Sequence, residues 1–226
     1  MANQATGNYK PLRIEHQGFS TVELVVVMFV ILVLSSIAIP QGLNAMRSMR
    51  LKGAVTDFAA LLQVQRIRAL DDDRFYSTYF LAANGTNPEM AFVDIFPQNA
   101  NGTSGTGGAN YNAGDPLVAI SPEVSQQPAG AAPNTANLRQ QLLPATSPVV
   151  PQDGSAGGTP VTFGPRGLPC TPVAVAGGTV CDSSGGPTAC WTFFQNNVNQ
   201  SWGAVTVTPA GRISRWFFTG GAWTSF

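Results

Sequence analysis

The 226-residue chain holds 12 Lys and Arg against 12 Asp and Glu, so its formal net charge is zero, and charged residues make up only 11% of it. Ordinary globular proteins carry about 25%, and with 24 Gly, 17 Pro and 44% hydrophobic residues a charge-dense cytosolic enzyme, a long coiled coil and a surface-wide polyanion binder are disfavoured. The single His, His16, excludes most sites built on imidazole, and the composition points to an envelope or extracellular protein.

Residues 1–18 are polar, with Lys10, Arg13 and Glu15 giving a net charge of +1. Phe19 to Ile39 is a run of 21 almost wholly apolar residues, about 31 Å as a helix and enough to cross a hydrocarbon core of about 30 Å. The preceding basic residues place the amino terminus in the cytoplasm. A secretory signal is the competing reading, with Ser35, Ser36 and Ala38 as its cleavage site. Such signals have apolar cores of about 7–15 residues; this run is longer and carries Glu23. An acid within the hydrocarbon costs about 2.5–3.5 kcal/mol and usually has a partner. Near a helix start the dipole also tolerates it.

Gly18-Phe19-Ser20-Thr21-Val22-Glu23, followed by the apolar run, resembles the processing site of type IV prepilins and type II secretion pseudopilins. The resemblance implies cleavage after Gly18 by a prepilin peptidase and N-methylation of Phe19. Glu23 stands where the family has its glutamate, and Pro40 where it often has a proline. Gln17, preceded by His16, stands where Lys or Arg is common, and the leader is longer than most. Cleavage would leave an ammonium on Phe19, and Glu23 of one subunit would face that of its neighbour. In low dielectric such a pair offsets much of the cost of burying either charge and sets register.

Beyond Pro40 the pattern stays helical to about Leu70, with Leu51, Val55, Phe58 and Leu62 on one face. Arg47, Arg50, Lys52, Arg66 and Arg68 fall elsewhere around the helix. Pro40 with Gly42 is expected to kink or loosen it. Asp71-Asp72-Asp73 ends it, because three acids oppose the C-terminal dipole; a solvated helix end fits them better than a calcium site. The domains predicted are a leader over 1–18, a membrane segment over 19–40, an amphipathic half-helix over 41–74 and a β-rich extracytoplasmic domain over 75–226.

Phe75–Ala82 and Met90–Phe96 read as strands, separated by a turn over Asn84–Pro88. Residues 97–190 hold 13 Pro and 15 Gly but six charges. They read as mostly loop, in part an exposed mobile insertion, with short apolar runs at Leu117–Ile120 and Val161–Phe163. Trp191–Phe194, Trp202–Thr208 and Arg212–Phe218 read as strands. Val161-Thr162-Phe163-Gly164-Pro165-Arg166-Gly167 is similar to a strand-and-turn of GspH/FimT-type minor pilins. Val205–Ile213, with Pro209-Ala210-Gly211-Arg212, looks like that family's final strand and Gly-Arg turn.

Some FimT-like members bind DNA through Gly-Arg-x-Arg; here Ser214 replaces the second Arg and Arg215 follows it. In a strand, Arg212 and Arg215 would point to opposite faces, a poor phosphate clamp. Trp216 and Trp223 have the shape to stack on bases, though tryptophans there are more often core. Cys170, Cys181 and Cys190 have no zinc spacing; one disulfide is expected, Cys170–Cys181 or Cys181–Cys190, leaving one thiol. Asp94, Asp115 and Glu123 show no catalytic spacing, and nothing calls for a cofactor or metal.

The fold expected is α+β and pilin-like, a long N-terminal helix packed on a C-terminal antiparallel sheet domain, and the chain is not expected to be an enzyme. The resemblance implies a structural minor pilin or pseudopilin that primes or joins a type II secretion pseudopilus or type IV pilus. Its partners would be other pilin subunits, the prepilin peptidase, the inner-membrane assembly platform and membrane lipid, but not nucleic acid. It would sit in the inner membrane as a single-pass protein before joining a filament. A major structural pilin and a DNA-binding pilin for uptake are the alternatives.

Overall fold

A computed structural model describes residues 20–83, 88–96, 103–104, 110–112, 114–144, 147, 149–156, 158–175, 178–182 and 188–226. Gly18, Phe19 and most of the turn predicted at Asn84–Pro88 lie outside the described residues. In chain order the elements are α1 (Thr21–Asp71), β1 (Tyr76–Leu81), β2 (Met90–Ile95), β3 (Thr103–Ser104), β4 (Asn110–Tyr111), β5 (Leu117–Ala119), β6 (Val124–Gln127), α2 (Thr135–Leu142), β7 (Gln152–Asp153), β8 (Thr162–Phe163), β9 (Pro172–Val175), β10 (Gly178–Cys181), β11 (Cys190–Asn196), β12 (Trp202–Val207), β13 (Ile213–Thr219) and β14 (Ala222–Ser225). The chain divides into two units, residues 1–43 and 44–226, and α1 contributes to both.

Ser20 caps α1. Its Oγ accepts the Val22 N–H at 3.3 Å and its carbonyl the Leu24 N–H at 3.1 Å, satisfying donors that a helix start leaves free. Pro40 and Gly42 lie inside α1, which runs through both; Pro40 has no N–H to give the Ser36 carbonyl. At the far end Asp73 adopts φ 51° and the Arg74 N–H reaches back to the Ala69 carbonyl at 3.3 Å. This is the left-handed termination that glycine usually provides.

In the second unit, Leu51, Val55, Phe58 and Leu62 of α1 are buried in the main core. Around them lie Ala91 and Val93 of β2, Phe163 of β8, and Cys190, Phe194, Val205 and Val207 of β11 and β12. Phe58 stacks on Phe80 at 5.5 Å and meets Phe194 edge-on at 5.2 Å. Of the two larger sheets, one has the order β5-β2-β1-β8 and the other runs β14-β13-β12-β11-β6, with β7 beside β11; β9 with β10 and β3 with β4 form separate two-stranded sheets. All pairings are antiparallel except the short parallel β7–β11 contact. The central strands of the larger sheet, β11 and β12, are buried on both faces. Trp191, Phe193, Ala204, Trp216 and Trp223 form a second core with Leu138 of α2, as period-2 alternation requires.

Within 97–190, read as mostly loop, connections are interspersed with short elements that carry buried side chains. The described part of that stretch holds β3 to β10 and α2, and Ile120, Val124, Leu138, Leu142 and Phe163 are buried. Only β5 and β8 coincide with the apolar runs. The others are short, and they form because distant partners receive them: β6 pairs with the far end of β11, Val124 opposite Asn196. α2 also guards the β14 edge. Gln141 Nε2 donates to the Trp223 carbonyl at 3.1 Å, and Trp223 Nε1 donates to the Pro133 carbonyl at 2.9 Å.

At Gly203 of β12 helix and sheet approach closely. A Cβ there would lie 2.6 Å from Val55 Cγ2. Gly203→Ala is therefore expected to lower stability by about 1–3 kcal/mol through overpacking. Urea titration of the full chain in detergent micelles measures this, and a Val55→Ala background should shrink the loss.

Glu89, just ahead of β2, joins the two sheets. Its carboxylate accepts the Gln126 N–H of β6 at 3.4 Å and its carbonyl accepts the Ile120 N–H at 2.8 Å. Burial raises its pKa above the ordinary carboxyl value, and the Gln126 bond offsets that in part. Because the folded pKa is the higher one, stability is fully present below the unfolded carboxyl range and is lost as pH rises through the folded pKa. Glu89→Gln keeps an acceptor and removes the charge. The variant should melt increasingly above wild type between pH 4 and pH 7; a pH-independent difference would contradict this.

Candidate functional site

Among its described residues, the first unit presents an apolar helical surface that nothing else in it covers. Every large apolar side chain from Val22 to Ile39 is at least 45% exposed. One helix near the N-terminus is thus long and apolar enough to cross a membrane. Ser36 does not interrupt this surface with a free hydroxyl, since its Oγ donates to the Val33 carbonyl at 2.7 Å. Glu23 lies in the first helical turn and is exposed. There its carboxylate faces the positive end of the helix dipole.

In the second unit the two glycine turns singled out in the sequence come together. Gly164 to Gly167 form a turn closed by the Gly167 N–H on the Gly164 carbonyl at 2.8 Å, and Thr208 to Gly211 form another, also closed at 2.8 Å. A Cβ on Gly211 would meet the Gly167 carbonyl at 3.0 Å, and one on Gly167 would meet Leu70 at 3.0 Å. Both glycines have positive φ, 65° and 78° for Gly167 and Gly211, so a side chain is opposed by conformation as well as by space. Arg66 of α1 pins the second turn, donating from Nη1 to the Gly211 carbonyl at 3.0 Å. Sequence reading marked both motifs but not their meeting, nor the part of Arg66. A helix arginine carries no mark of a carbonyl partner so far along the chain.

Beside these turns opens a cavity of about 580 Å³ lined by Phe75, Pro165, Arg166, Leu168, Val180 and Pro209, with Cys170 and Cys181 also in its wall. Cys170 and Cys181 form a disulfide, Cα atoms 5.4 Å apart, and Cys190 is the buried free thiol. Of the two pairings open in the sequence, the structure contains the first. Burial pushes the Cys190 thiol up to about 12. Tyr76 is also raised to about 12, by burial and by its hydroxyl donating to Asp72 Oδ2 at 2.5 Å.

The remaining candidate residues do not converge. Arg212 is exposed and precedes β13. Arg215 turns to the helix side of the sheet, 3.4 Å from Thr56 Oγ1 and 5.2 Å from the Phe226 ring centroid. Trp216 and Trp223 are buried, the former donating from Nε1 to Thr206 Oγ1 at 2.8 Å. Neither indole offers a face for a base. Asp94 is buried, Asp115 accepts the Asn112 N–H at 3.0 Å and Glu123 pairs with Arg50. Among the described residues no group of three His, Cys, Asp or Glu is placed to hold a metal ion. No family model, curated protein or solved structure matches the chain.

Proposed function

We propose that this chain is a prepilin-type structural subunit, most like the GspH/FimT minor pilins and pseudopilins. In this reading a prepilin peptidase cuts after Gly18, Phe19 is N-methylated, and the apolar half of α1 holds the subunit in the inner membrane with the second unit outside the cytoplasm. The assembly platform then draws it, helix against helix, into a type II secretion pseudopilus or type IV pilus. One observation carries the proposal: every large apolar side chain of the helical stretch Val22–Ile39 is exposed, with an acid near its head and the Gly18-Phe19 motif before it. Such a surface is stable only in lipid or against other apolar helices. The engagement of Arg215 with Thr56 and Phe226 favours the structural role over DNA uptake.

Mass spectrometry of filaments sheared from the native cells, beside the envelope fraction, tests this reading. An N-methyl-Phe19 terminus with only trace amounts in the sheared fraction is the expected result. Abundance in that fraction would make the chain a major structural pilin. A terminus beyond Ser36 would overturn the prepilin reading in favour of a secreted protein.

A further inference from the structure

β5 is an edge strand. Among the described residues it pairs only with β2, Met90 opposite Ala119, Ala91 opposite Val118 and Phe92 opposite Leu117. The ladder sets the direction of its backbone groups. The Val93 N–H donates to the Pro116 carbonyl at 2.9 Å and the Ile120 N–H to the Glu89 carbonyl at 2.8 Å. Residues 116, 118 and 120 therefore face β2, and antiparallel alternation turns the N–H and C=O groups of Leu117 and Ala119 to the open side. Among the described residues neither makes a backbone hydrogen bond beyond the ladder. Both side chains are exposed, Leu117 by 42%.

Along this open side lies a groove of about 380 Å³, walled by Pro116 to Ala119 and, on α1, by Asp57, Ala60, Leu61 and Val64. Val64 is 40% exposed. Proteins usually blunt such an edge by keeping it short, or with a charge, a proline, a bulge or a covering element; β5 is short and Pro116 precedes it, but Pro116 turns its carbonyl to β2 and leaves the Leu117 and Ala119 groups on the open side. The β14 edge is covered by α2 through Gln141, whereas Leu117-Val118-Ala119 carries no charge at all. Asp57 is exposed, and the one salt bridge among the described residues is that of Arg50 with Glu123.

We propose that β5 and this groove receive an extended segment of another polypeptide as an added strand. Its backbone pairs with Leu117 and Ala119, alternate side chains are apolar against Leu61 and Val64, and a Lys or Arg sits opposite Asp57. Main-chain hydrogen bonds supply affinity and the alternate side chains supply selectivity. The site requires neither the membrane span nor assembly into a filament.

The test uses the full chain in dodecyl maltoside micelles and a fluorescent pentapeptide, acetyl-Lys-Ser-Val-Ser-Val-amide, together with its reversed sequence. Saturable binding of one of the two is expected. Ala119→Pro removes an outward N–H, which an edge strand tolerates, and should weaken binding at least tenfold at an unchanged melting temperature. A version of the binding peptide with Glu in place of Lys should bind wild type at least tenfold more weakly; Asp57→Lys leaves the strand intact and should reverse this preference, the Glu peptide then binding at least tenfold tighter than the Lys peptide. Absence of saturable binding, or equal binding by a folded Ala119→Pro chain, overturns the proposal. If that variant does not fold, the Asp57→Lys exchange decides: an unreversed preference overturns it. A wild-type dimer that Ala119→Pro dissociates assigns the edge to a second copy and overturns the heterologous occupant.

Discussion

Gln65→Met is expected to destabilise the second unit by about 2–4 kcal/mol, although it makes α1 more apolar at a buried position of similar size. Gln65 is fully buried. Its amide donates to the Tyr76 carbonyl at 2.6 Å and to the Val161 carbonyl at 2.7 Å, and its Oε1 accepts from Thr78 Oγ1 at 2.6 Å. One side chain thereby ties α1 to β1 and to the residue leading into β8. Methionine returns none of these bonds, and burial leaves the Thr78 hydroxyl without water to replace its partner. The two carbonyls suffer less, since that of Val161 also accepts the Thr78 N–H at 3.0 Å and the β1–β8 register gives that of Tyr76 the Phe163 N–H. Urea titration of the full chain in micelles reads the loss. Thr78→Val should cost markedly less in the Gln65→Met background than alone, because the two groups share one bond. A loss below about 0.5 kcal/mol for Gln65→Met would mean that water or relaxation replaces the network.

Gln65 also shows where sequence reading stops. Leu51, Val55, Phe58 and Leu62 reveal the buried face of α1 by spacing alone, and that face is buried as expected. Three residues on, the same face continues with Gln65 and then Ala69, both fully buried. A polar residue on an apolar stripe ends the pattern for a reader, whereas in the fold it is the point of attachment for β1. The strands β1, β2, β11, β12 and β13 are legible because aromatic and branched residues are concentrated in them. β6, with Val-Ser-Gln-Gln, and α2, with Thr-Ala-Asn-Leu-Arg-Gln-Gln-Leu, offer one or two apolar positions each. Their stability comes from partners far along the chain, which no local window contains. The glycines of the two turns are visible in the sequence as turn signals; that Gly211 meets Gly167 is a tertiary fact.

Glu23→Ala is expected to leave the second unit as stable as wild type and to remove the subunit from filaments. The first half follows from position, because Glu23 is exposed in the first turn of α1, outside both cores. Insertion should not suffer, since an acid within the hydrocarbon is a cost rather than a gain, although less at the first turn than at the helix centre. The second half rests on the proposed pairing of Glu23 with the methylated ammonium of Phe19 on a neighbouring subunit. Without the carboxylate that ammonium enters a low-dielectric helix bundle unpaired, and breaking a buried pair from one side costs about 3–5 kcal/mol. The two halves differ in outcome, so the variant separates anchoring from assembly. Peptide quantification should find N-methyl-Phe19 in the membrane at wild-type levels and at least a tenfold loss from the sheared fraction. Glu23→Gln should fail similarly, since an amide keeps the size and the hydrogen bond but not the charge. Unchanged incorporation of both variants would leave Glu23 with its local role alone, favouring the positive end of α1, and assembly would then rest on the apolar surface between Val22 and Ile39.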